Sequence, residues 1–173
     1  FFAMSHGVNR GVIKSGKVDE REHFIKELMN LNKDIKFDIY GYNERNPVWS
    51  ESFYSAISKS PMAVNLNRGK PKKYSSSNRI GSLIGNGLLT FIDYRKKFNH
   101  FFNKSEIIFY HNSKDLSEKI NYYKINESER KRISFNGQRK YFKLFNEVEV
   151  AKYIVSESIG VNNYTPIWHN YLK

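Results

Sequence analysis

Short apolar runs alternate along the chain with segments in which apolar residues recur at helical spacing. The runs have the length of β-strands and occur at Phe1–Ser5, Lys36–Tyr40, Met62–Leu66, Leu88–Ile92 and Ile107–Tyr110. The amphipathic segments after them predict helices at Val18–Leu31, Trp49–Ser58, Asn78–Ile84, Arg95–Phe102 and Ser113–Tyr123, the last with Ser113 as its N-cap. Two more helices are predicted at Glu127–Phe145 and Val148–Ile159. Strands that each precede a helix are typical of parallel sheets. The pattern therefore predicts an α/β fold, a Rossmann-like, mostly parallel sheet with helices on both faces.

Two polar segments directly follow the first two predicted strands, at the carboxyl ends where open α/β sheets bind ligands. In the segment His6–Gly11, Gly7 would let the backbone turn tightly, and His6 and Arg10 could neutralise a phosphate. A solvated loop explains the same residues equally well. In the second segment, Tyr42 could stack on a base, although an ordinary surface position is the better explanation for any single tyrosine there.

A third polar segment follows the strand at Met62–Leu66 and ends at Arg79. Asn67, Arg68 and Gly69 open it, and the residues Ser76, Ser77 and Asn78 before Arg79 are all good N-caps. A helix beginning near Arg79 would direct free N–H groups at the loop. A cation at such a position is mildly unfavourable, and an anionic ligand such as a diphosphate would compensate it. We therefore favour a binding role for Arg79 over an exposed arginine.

The remaining polar signals define the expected site more loosely. Asp93, at the end of the next strand, is either a ligand-site acid or the cap of the following helix. We expect the loops at 6–11, 67–78 and 85–87 to gather at one edge of the sheet. The five histidines are far apart and lack metal-ligand spacing, so no metal site is expected. No Ser-His-Asp arrangement is visible, and no catalytic residue is identified.

Composition limits the classes of partner. The net charge of +12, from 29 Lys and Arg against 17 Asp and Glu, favours anionic partners. The basic residues do not interleave with aromatic residues in an RNA-recognition or helix-turn-helix pattern, so nucleic acid is not expected. Cysteines are absent, which fits a reducing compartment, and no apolar run reaches membrane-spanning length. We expect a cytoplasmic protein without a transmembrane segment, and a peripheral position at a membrane stays open.

Four stretches together resemble a known family: AVNLNRG, SSSNRIGSLIGNGLLTFID, IIFYHNSKDLSEKINYY and ESERKRISFNGQRKY. They resemble the C-terminal, donor-binding half of GT-B glycosyltransferases, closest to the CgeB-like (glycosyl transferases group 1) family, over about residues 37–151. The resemblance implies transfer of a sugar from a nucleoside diphosphate sugar to an unknown acceptor, which could be a glycan, a lipid or a protein. It implies no cofactor beyond that donor substrate.

Residue by residue, the resemblance places Arg79 against the donor diphosphate and Asn67 and Arg68 on the same rim. It makes Gly85, Asn86 and Gly87 a close-packed turn at the site. Ser82 stands where the family usually has a glutamate that holds the donor ribose or sugar. This departure motivates the rival reading of a catalytically inactive nucleotide- or sugar-binding domain; a nucleic-acid-binding α/β domain is a further rival.

Trp168 and Tyr171 near the end of the chain suggest a docked terminus, and the resemblance covers most of the chain before them. Residues 1–160 would form one nucleotide-sugar-binding domain, and residues 161–173 a tail docked on it. Catalytic bases in this architecture generally come from the N-terminal half, which we expect to be missing, so that the chain alone would be inactive.

Overall fold

The computed structural model describes residues 1–4, 19–42, 45–75, 77–160 and 164–172. The strands are β1 (Phe2–Ala3), β2 (Ile39–Tyr40), β3 (Met62–Asn65), β4 (Leu89–Asp93) and β5 (Ile108–Tyr110). The helices are α1 (Glu20–Leu31), α2 (Ser50–Ser58), α3 (Asn78–Gly85), α4 (Ser113–Ile125), α5 (Glu127–Phe145) and α6 (Glu147–Ile159). Short 3₁₀ turns occupy Tyr94–Lys96, Phe98–His100 and Ile167–Tyr171.

All strand pairs are parallel. β1 pairs with β2, and β3, β4 and β5 form a second hydrogen-bonded group in that order. The two groups meet where the backbone N–H of Val64 donates to the carbonyl of Phe1 at 3.1 Å. The spatial order is therefore β2-β1-β3-β4-β5. The predicted α/β fold with parallel strands is confirmed, as two small sheets side by side.

Helices cover both faces because β4 alternates its side chains between them. Phe91 packs with Leu28 of α1 and Leu116 of α4 on one face. Ile92, the next residue, packs with Ile80 of α3 on the other face. Residues from α2 and β3 extend the second face.

Three local predictions were wrong. Arg95–Phe102 is not a helix: Lys97 adopts a left-handed conformation (φ 60°, ψ 24°), which separates two 3₁₀ turns. Ser113 is not the N-cap of α4, because the side chain of Asn112 accepts the N–H of Asp115 at 2.9 Å. The second strand is limited to Ile39–Tyr40, preceded by the carbonyl of Asp38, which accepts the N–H of Phe2 at 2.9 Å.

The C-terminal segment packs on the domain through aromatic contacts. The ring of Trp168 stacks on Phe145 at a centroid distance of 5.6 Å, and Tyr171 contacts the same apolar cluster. Lys140 donates to the Tyr171 hydroxyl at 2.9 Å. These contacts involve the end of α5, which connects the segment to the sheet.

Candidate functional site

The strand order reverses between β1 and β3, and ligands of open α/β sheets bind at such a point. From β1 the chain proceeds through α1 to β2 on one side, whereas β3, β4 and β5 follow on the other. A cavity of about 550 Å³, here called the switch-point cavity, opens at the carboxyl end of β1. It is lined by Ala3, Met4, Val48, Trp49, Ser50, Phe53, Tyr54, Ser77, Asn78, Arg79 and Ser82.

Two helices begin at the switch-point cavity. Ser50 opens α2, and Ser77 is the N-cap of α3 with extended backbone angles (φ −111°, ψ 161°). The first N–H groups of a helix lack intrahelical partners, and the helix dipole adds partial positive charge there. The cavity therefore has two walls suited to an anion.

Arg79 is the cation of this cavity. Its Nη1 donates to the carbonyl of Leu66 at 2.8 Å, and the guanidinium lies 5.6 Å from the ring of Phe2. Burial, reinforced by the charge of Arg21, lowers the pKa of Arg79 to about 10, so the side chain is still charged at neutral pH. Among the described residues, no carboxylate lies within 4 Å of it. Arg79 is thus a largely buried cation held by a carbonyl and a ring.

A second cavity of about 520 Å³, here called the strand-end cavity, lies on the other side of the loop that follows β3. It is lined by Glu20, Arg21, Phe24, Asn65, Leu66, Asn67, Gly69, Lys70, Pro71, Asp93, Arg95, Lys96 and Tyr110. These residues come from α1 and from the carboxyl ends of β3, β4 and β5. The carbonyl of Leu66, which accepts from Arg79, belongs to the wall between the two cavities.

Buried polar groups with one long hydrogen bond or none line the strand-end cavity. Lys96 is 2% exposed, and its Nζ makes one long hydrogen bond, 3.4 Å, to the carbonyl of Asn65. Burial lowers the pKa of Lys96 to about 8; Asp93 opposes this shift and Arg79 adds to it. Both amide atoms of Asn65 and the hydroxyl of Tyr110 are buried without a hydrogen-bond partner. Unpaired buried polar groups cost free energy and cluster at functional sites.

Two internal ion pairs partly balance the other cations of the strand-end cavity. Asp19 caps α1 through the N–H of Arg21 and also binds the Arg21 guanidinium. Burial opposes ionisation of Asp19, but the hydrogen bonds and charges of Arg21 and Arg68 outweigh it and lower the pKa of this carboxyl. Asp93 accepts the N–H of Arg95 at 2.9 Å and pairs with its guanidinium at 2.6 Å. Asp93 is therefore the cap of the 3₁₀ turn after β4.

The structure brings part of the sequence-derived site together. Asn78, Arg79 and Ser82 line the switch-point cavity, and Asn67 lines the strand-end cavity. The Nδ2 of Asn67 donates to the carbonyl and the hydroxyl of Ser75, both at 3.3 Å, and so closes the loop on itself.

Other predicted site residues have structural roles or lie elsewhere. The Nε of Arg68 is 3.7 Å from Asp19, which gives this arginine a carboxylate partner. Tyr42 packs against the apolar cluster around Phe2 and Met4. The donor-binding candidates His6, Gly7, Arg10 and Ser76 lie outside the described residues.

The turn at Gly85, Asn86 and Gly87 is at the opposite edge of the sheet. It leads from the end of α3 into the amino end of β4, and Gly87 lies beside Pro61, just before β3. The Nε2 of Gln138 donates to the carbonyl of Gly85 at 2.7 Å, which ties the turn to α5. The expectation that residues 85–87 join the loop at 67–78 was wrong, because α3 carries the chain from one edge to the other.

Several residues of the two cavities were missed by the sequence analysis. Trp49 and Tyr54 are more than half exposed and line the switch-point cavity, whereas the sequence indicated only an amphipathic helix there. Lys96 and Asn65 carried no local signal, because only the tertiary fold buries them. The Asp19–Arg21 pair did have a signal in the sequence: Asp19 is a good N-cap at the start of a predicted helix, and a cation follows it two positions later.

Within the described part of the chain, no group of three or more His, Asp or Glu side chains could hold a metal ion. None of the helices in these ranges has the length and apolarity that crossing a bilayer requires.

A family model described as glycosyl transferase-like matches residues 20–156, which is most of the chain and includes the lining of both cavities from α1 onward. Searches of curated proteins and of solved structures found no match.

Proposed function

Because the chain belongs to the glycosyl transferase-like family, we propose that it binds the donor of a sugar transfer, a nucleoside diphosphate sugar, in the switch-point cavity. In this proposal the chain is the donor-binding half of a GT-B enzyme of the CgeB-like type. The diphosphate lies against the first turn of α3, beside Arg79. The leaving diphosphate is stabilised electrostatically there as its charge develops.

The observation that carries the proposal is the environment of Arg79. A guanidinium that is largely buried, has its pKa lowered to about 10 and has no carboxylate within 4 Å among the described residues is costly for the fold. A diphosphate in the adjoining cavity would provide the missing anion. The N-termini of α2 and α3, which open at the same cavity, would add hydrogen-bond donors.

Aromatic side chains of the cavity suit the rest of such a ligand. Trp49 and Tyr54 present exposed rings near the start of α2, and aromatic rings stack on nucleobases and on the apolar faces of sugars. We assign them the base-stacking role that the sequence had suggested for Tyr42, which is instead packed against the core cluster.

Ser82 favours a second candidate, a nucleotide- or sugar-binding domain without catalytic activity. It lines the switch-point cavity, but its hydroxyl donates at 3.5 Å to the carbonyl of Asn78 in its own helix. A serine is shorter than the glutamate of the resembling family and carries no charge, so it would hold a ribose or sugar less firmly. This second candidate function predicts donor binding without sugar-transfer activity.

The proposal also covers the acceptor, the partner domain, the location and the cofactor requirement. The acceptor is a glycan, a lipid or a protein, and the acceptor-binding half with its catalytic base is supplied by a separate domain. The transfer takes place in the cytoplasm or at the cytoplasmic side of a membrane. It needs no cofactor beyond the donor, and nucleic acid is not a substrate.

Titration calorimetry with uridine and guanosine diphosphate tests the proposal. We expect weak binding of at least one of them, and a loss of roughly 1–3 kcal/mol of binding free energy in Arg79→Ala, the scale of a charge-assisted hydrogen bond. Arg132→Ala, which removes an exposed arginine of α5, is the charge-matched control and should bind as the unmodified protein does. Equal affinities of the two variants, or no binding of any nucleoside diphosphate, would contradict the proposal.

A further inference from the structure

The outward side of α5 carries an unusual combination of residues. Six of them, here called the α5 basic face, are Lys131, Arg132, Phe135, Arg139, Phe142 and Lys143, and all are exposed. At 100° and 1.5 Å per residue, they fall within about 120° of the helix surface and along about 18 Å of its length. The face contains four cations, two phenylalanines and no acidic residue.

The opposite side of α5 fixes the helix firmly to the domain. Ile133 and Leu144 are buried in the two apolar clusters. A Cβ atom on Gly137 would lie 2.1 Å from the carbonyl of Glu106, so α5 is in close contact with the segment before β5. The α5 basic face therefore cannot rotate inward, and its phenylalanines have no place in the core.

The charges of the face are only partly neutralised. Near the start of the helix, Lys131 pairs with Glu127 at 2.8 Å and Arg132 with Glu129 at 3.7 Å. Further along, neither Arg139 nor Lys143 has a carboxylate within 4 Å among the described residues. The C-terminal half of the face is thus positive without a local counter-charge.

The phenylalanines lie between these cations. Phe135 is 56% and Phe142 50% exposed, and they are two helical turns apart. The guanidinium of Arg139 lies 5.7 Å from the ring of Phe135. Large apolar side chains next to unpaired cations are the composition that surface-bound helices use at anionic bilayers: the rings enter the acyl boundary and the cations meet the headgroups.

We propose that the α5 basic face docks the protein on an anionic lipid bilayer. A bilayer fits better than a nucleic acid strand, because a convex helix surface meets a plane along its whole length and offers no groove to follow a phosphodiester backbone. This surface goes beyond the sugar-transfer proposal and does not depend on it, since it uses none of the residues of the two cavities.

The exposed side of α6 provides the contrast within the same protein. Val155 and Ile159 are both more than half exposed there. The same helix carries acidic residues, Glu147 and Glu149 in its first turn and Glu157 near its end. Its one cation, Lys152, lies 4.0 Å from the carboxylate of Glu149, so this helix offers apolar surface without the net positive charge that an anionic bilayer attracts, and it serves as a matched control.

Co-sedimentation with lipid vesicles tests the proposal. Vesicles of phosphatidylcholine with phosphatidylglycerol should bind the protein, and vesicles of phosphatidylcholine alone should not. The double variant Arg139→Gln with Lys143→Gln should weaken binding by about thirtyfold, from two cations near an anionic surface. Phe135→Ser with Phe142→Ser should weaken it at least tenfold. The control, Val155→Ser with Ile159→Ser, should bind as the unmodified protein does, and all variants should keep its melting temperature because the positions are exposed.

Three outcomes would overturn the proposal. The first is no binding to the anionic vesicles even at low salt. The second is equal binding by the unmodified protein and both double variants of the face. The third is displacement of the protein from vesicles by a single-stranded oligonucleotide, together with weaker oligonucleotide binding by the same variants. That result would assign the face to nucleic acid.

Discussion

Lys96 and Arg79 are cations that the fold buries close to one another beneath the carboxyl ends of β3 and β4. Burial lowers the pKa of both side chains; Arg79 contributes to the lowered pKa of Lys96, and Arg21 contributes to that of Arg79. Such an arrangement reduces the stability of the free protein. An anion bound between the two cavities would recover that free energy, which is how binding sites commonly trade stability for affinity.

Replacing Lys96 by methionine tests this cost directly. The pKa of Lys96 is about 8 in the folded protein against 10.5 ordinarily, so the unfolded chain binds more protons between these values. The charged form of Lys96 therefore lowers the free energy of unfolding by its full amount below pH 8. This penalty decreases as the pH rises from about 8 and is absent above pH 10.5. We expect Lys96→Met to raise the free energy of unfolding at pH 7 by about 1–3 kcal/mol, with a gain that shrinks toward pH 10.

Denaturant unfolding at several pH values measures the effect, with Lys97→Met as the control. Lys97 is adjacent, but its ammonium lies over the ring of Tyr94 at the surface, 4.9 Å from the ring centroid. A lower stability of Lys96→Met at pH 7, or a gain independent of pH, would show that the buried ammonium is well accommodated.

At the scale of elements, replacement by alanine should affect the free energy of unfolding differently at two helical glycines, Gly85 and Gly137. Alanine is the better helix former by about 1 kcal/mol. At Gly85 a Cβ would meet only the ring of Phe142 at 3.7 Å, whereas at Gly137 it would lie 2.1 Å from a backbone carbonyl. We expect Gly137→Ala to lower the free energy of unfolding by about 1–3 kcal/mol and Gly85→Ala to leave it nearly unchanged or higher.

Thermal unfolding of the two variants makes this comparison. Equal stabilities of Gly137→Ala and Gly85→Ala would contradict the close packing of α5 on the segment before β5. The same packing fixes the outward orientation of the α5 basic face, so this measurement also bears on the membrane proposal.

Long periodic elements could be predicted from the sequence, and elements set by tertiary contacts could not. The helix at Glu127–Phe145 has the predicted bounds, with acidic residues in its first turn and apolar positions at helical spacing from Ile133 to Leu144. The segment after β4 has apolar residues at helical spacing too, but Asp93 caps a 3₁₀ turn and Lys97 turns left-handed. Local periodicity does not contain that information.

The site shows the same division. Arg79 could be identified because three capping residues and a polar loop precede it in the sequence. The edge on which the turn at Gly85–Gly87 lies depends on where α3 ends, and its assignment was wrong for that reason. Lys96 and Asn65 become site residues only through burial, which their neighbours in sequence do not reveal.

For the whole molecule, two groups of cations stand out within the net charge of +12, and they have different expected partners. At the carboxyl ends of the strands Lys96 is buried and Arg79 is largely buried, and they line the two cavities, which suits a small anionic ligand. The cations of the α5 basic face are exposed and surround phenylalanines, which suits an extended anionic surface. Salt should weaken binding at the exposed face more than binding in the cavity, because buried charges are screened less.

Hydrogen exchange with and without a nucleoside diphosphate tests the central claim most directly. The account predicts slower exchange at the two helix starts that open at the switch-point cavity, residues 48–54 and 77–82, and along the loop at 67–75. Exchange in α5, including Arg130–Arg132, should not change. Protection confined to α5, or measurable binding without protection at 77–82, would contradict the assignment of the donor site to the switch-point cavity.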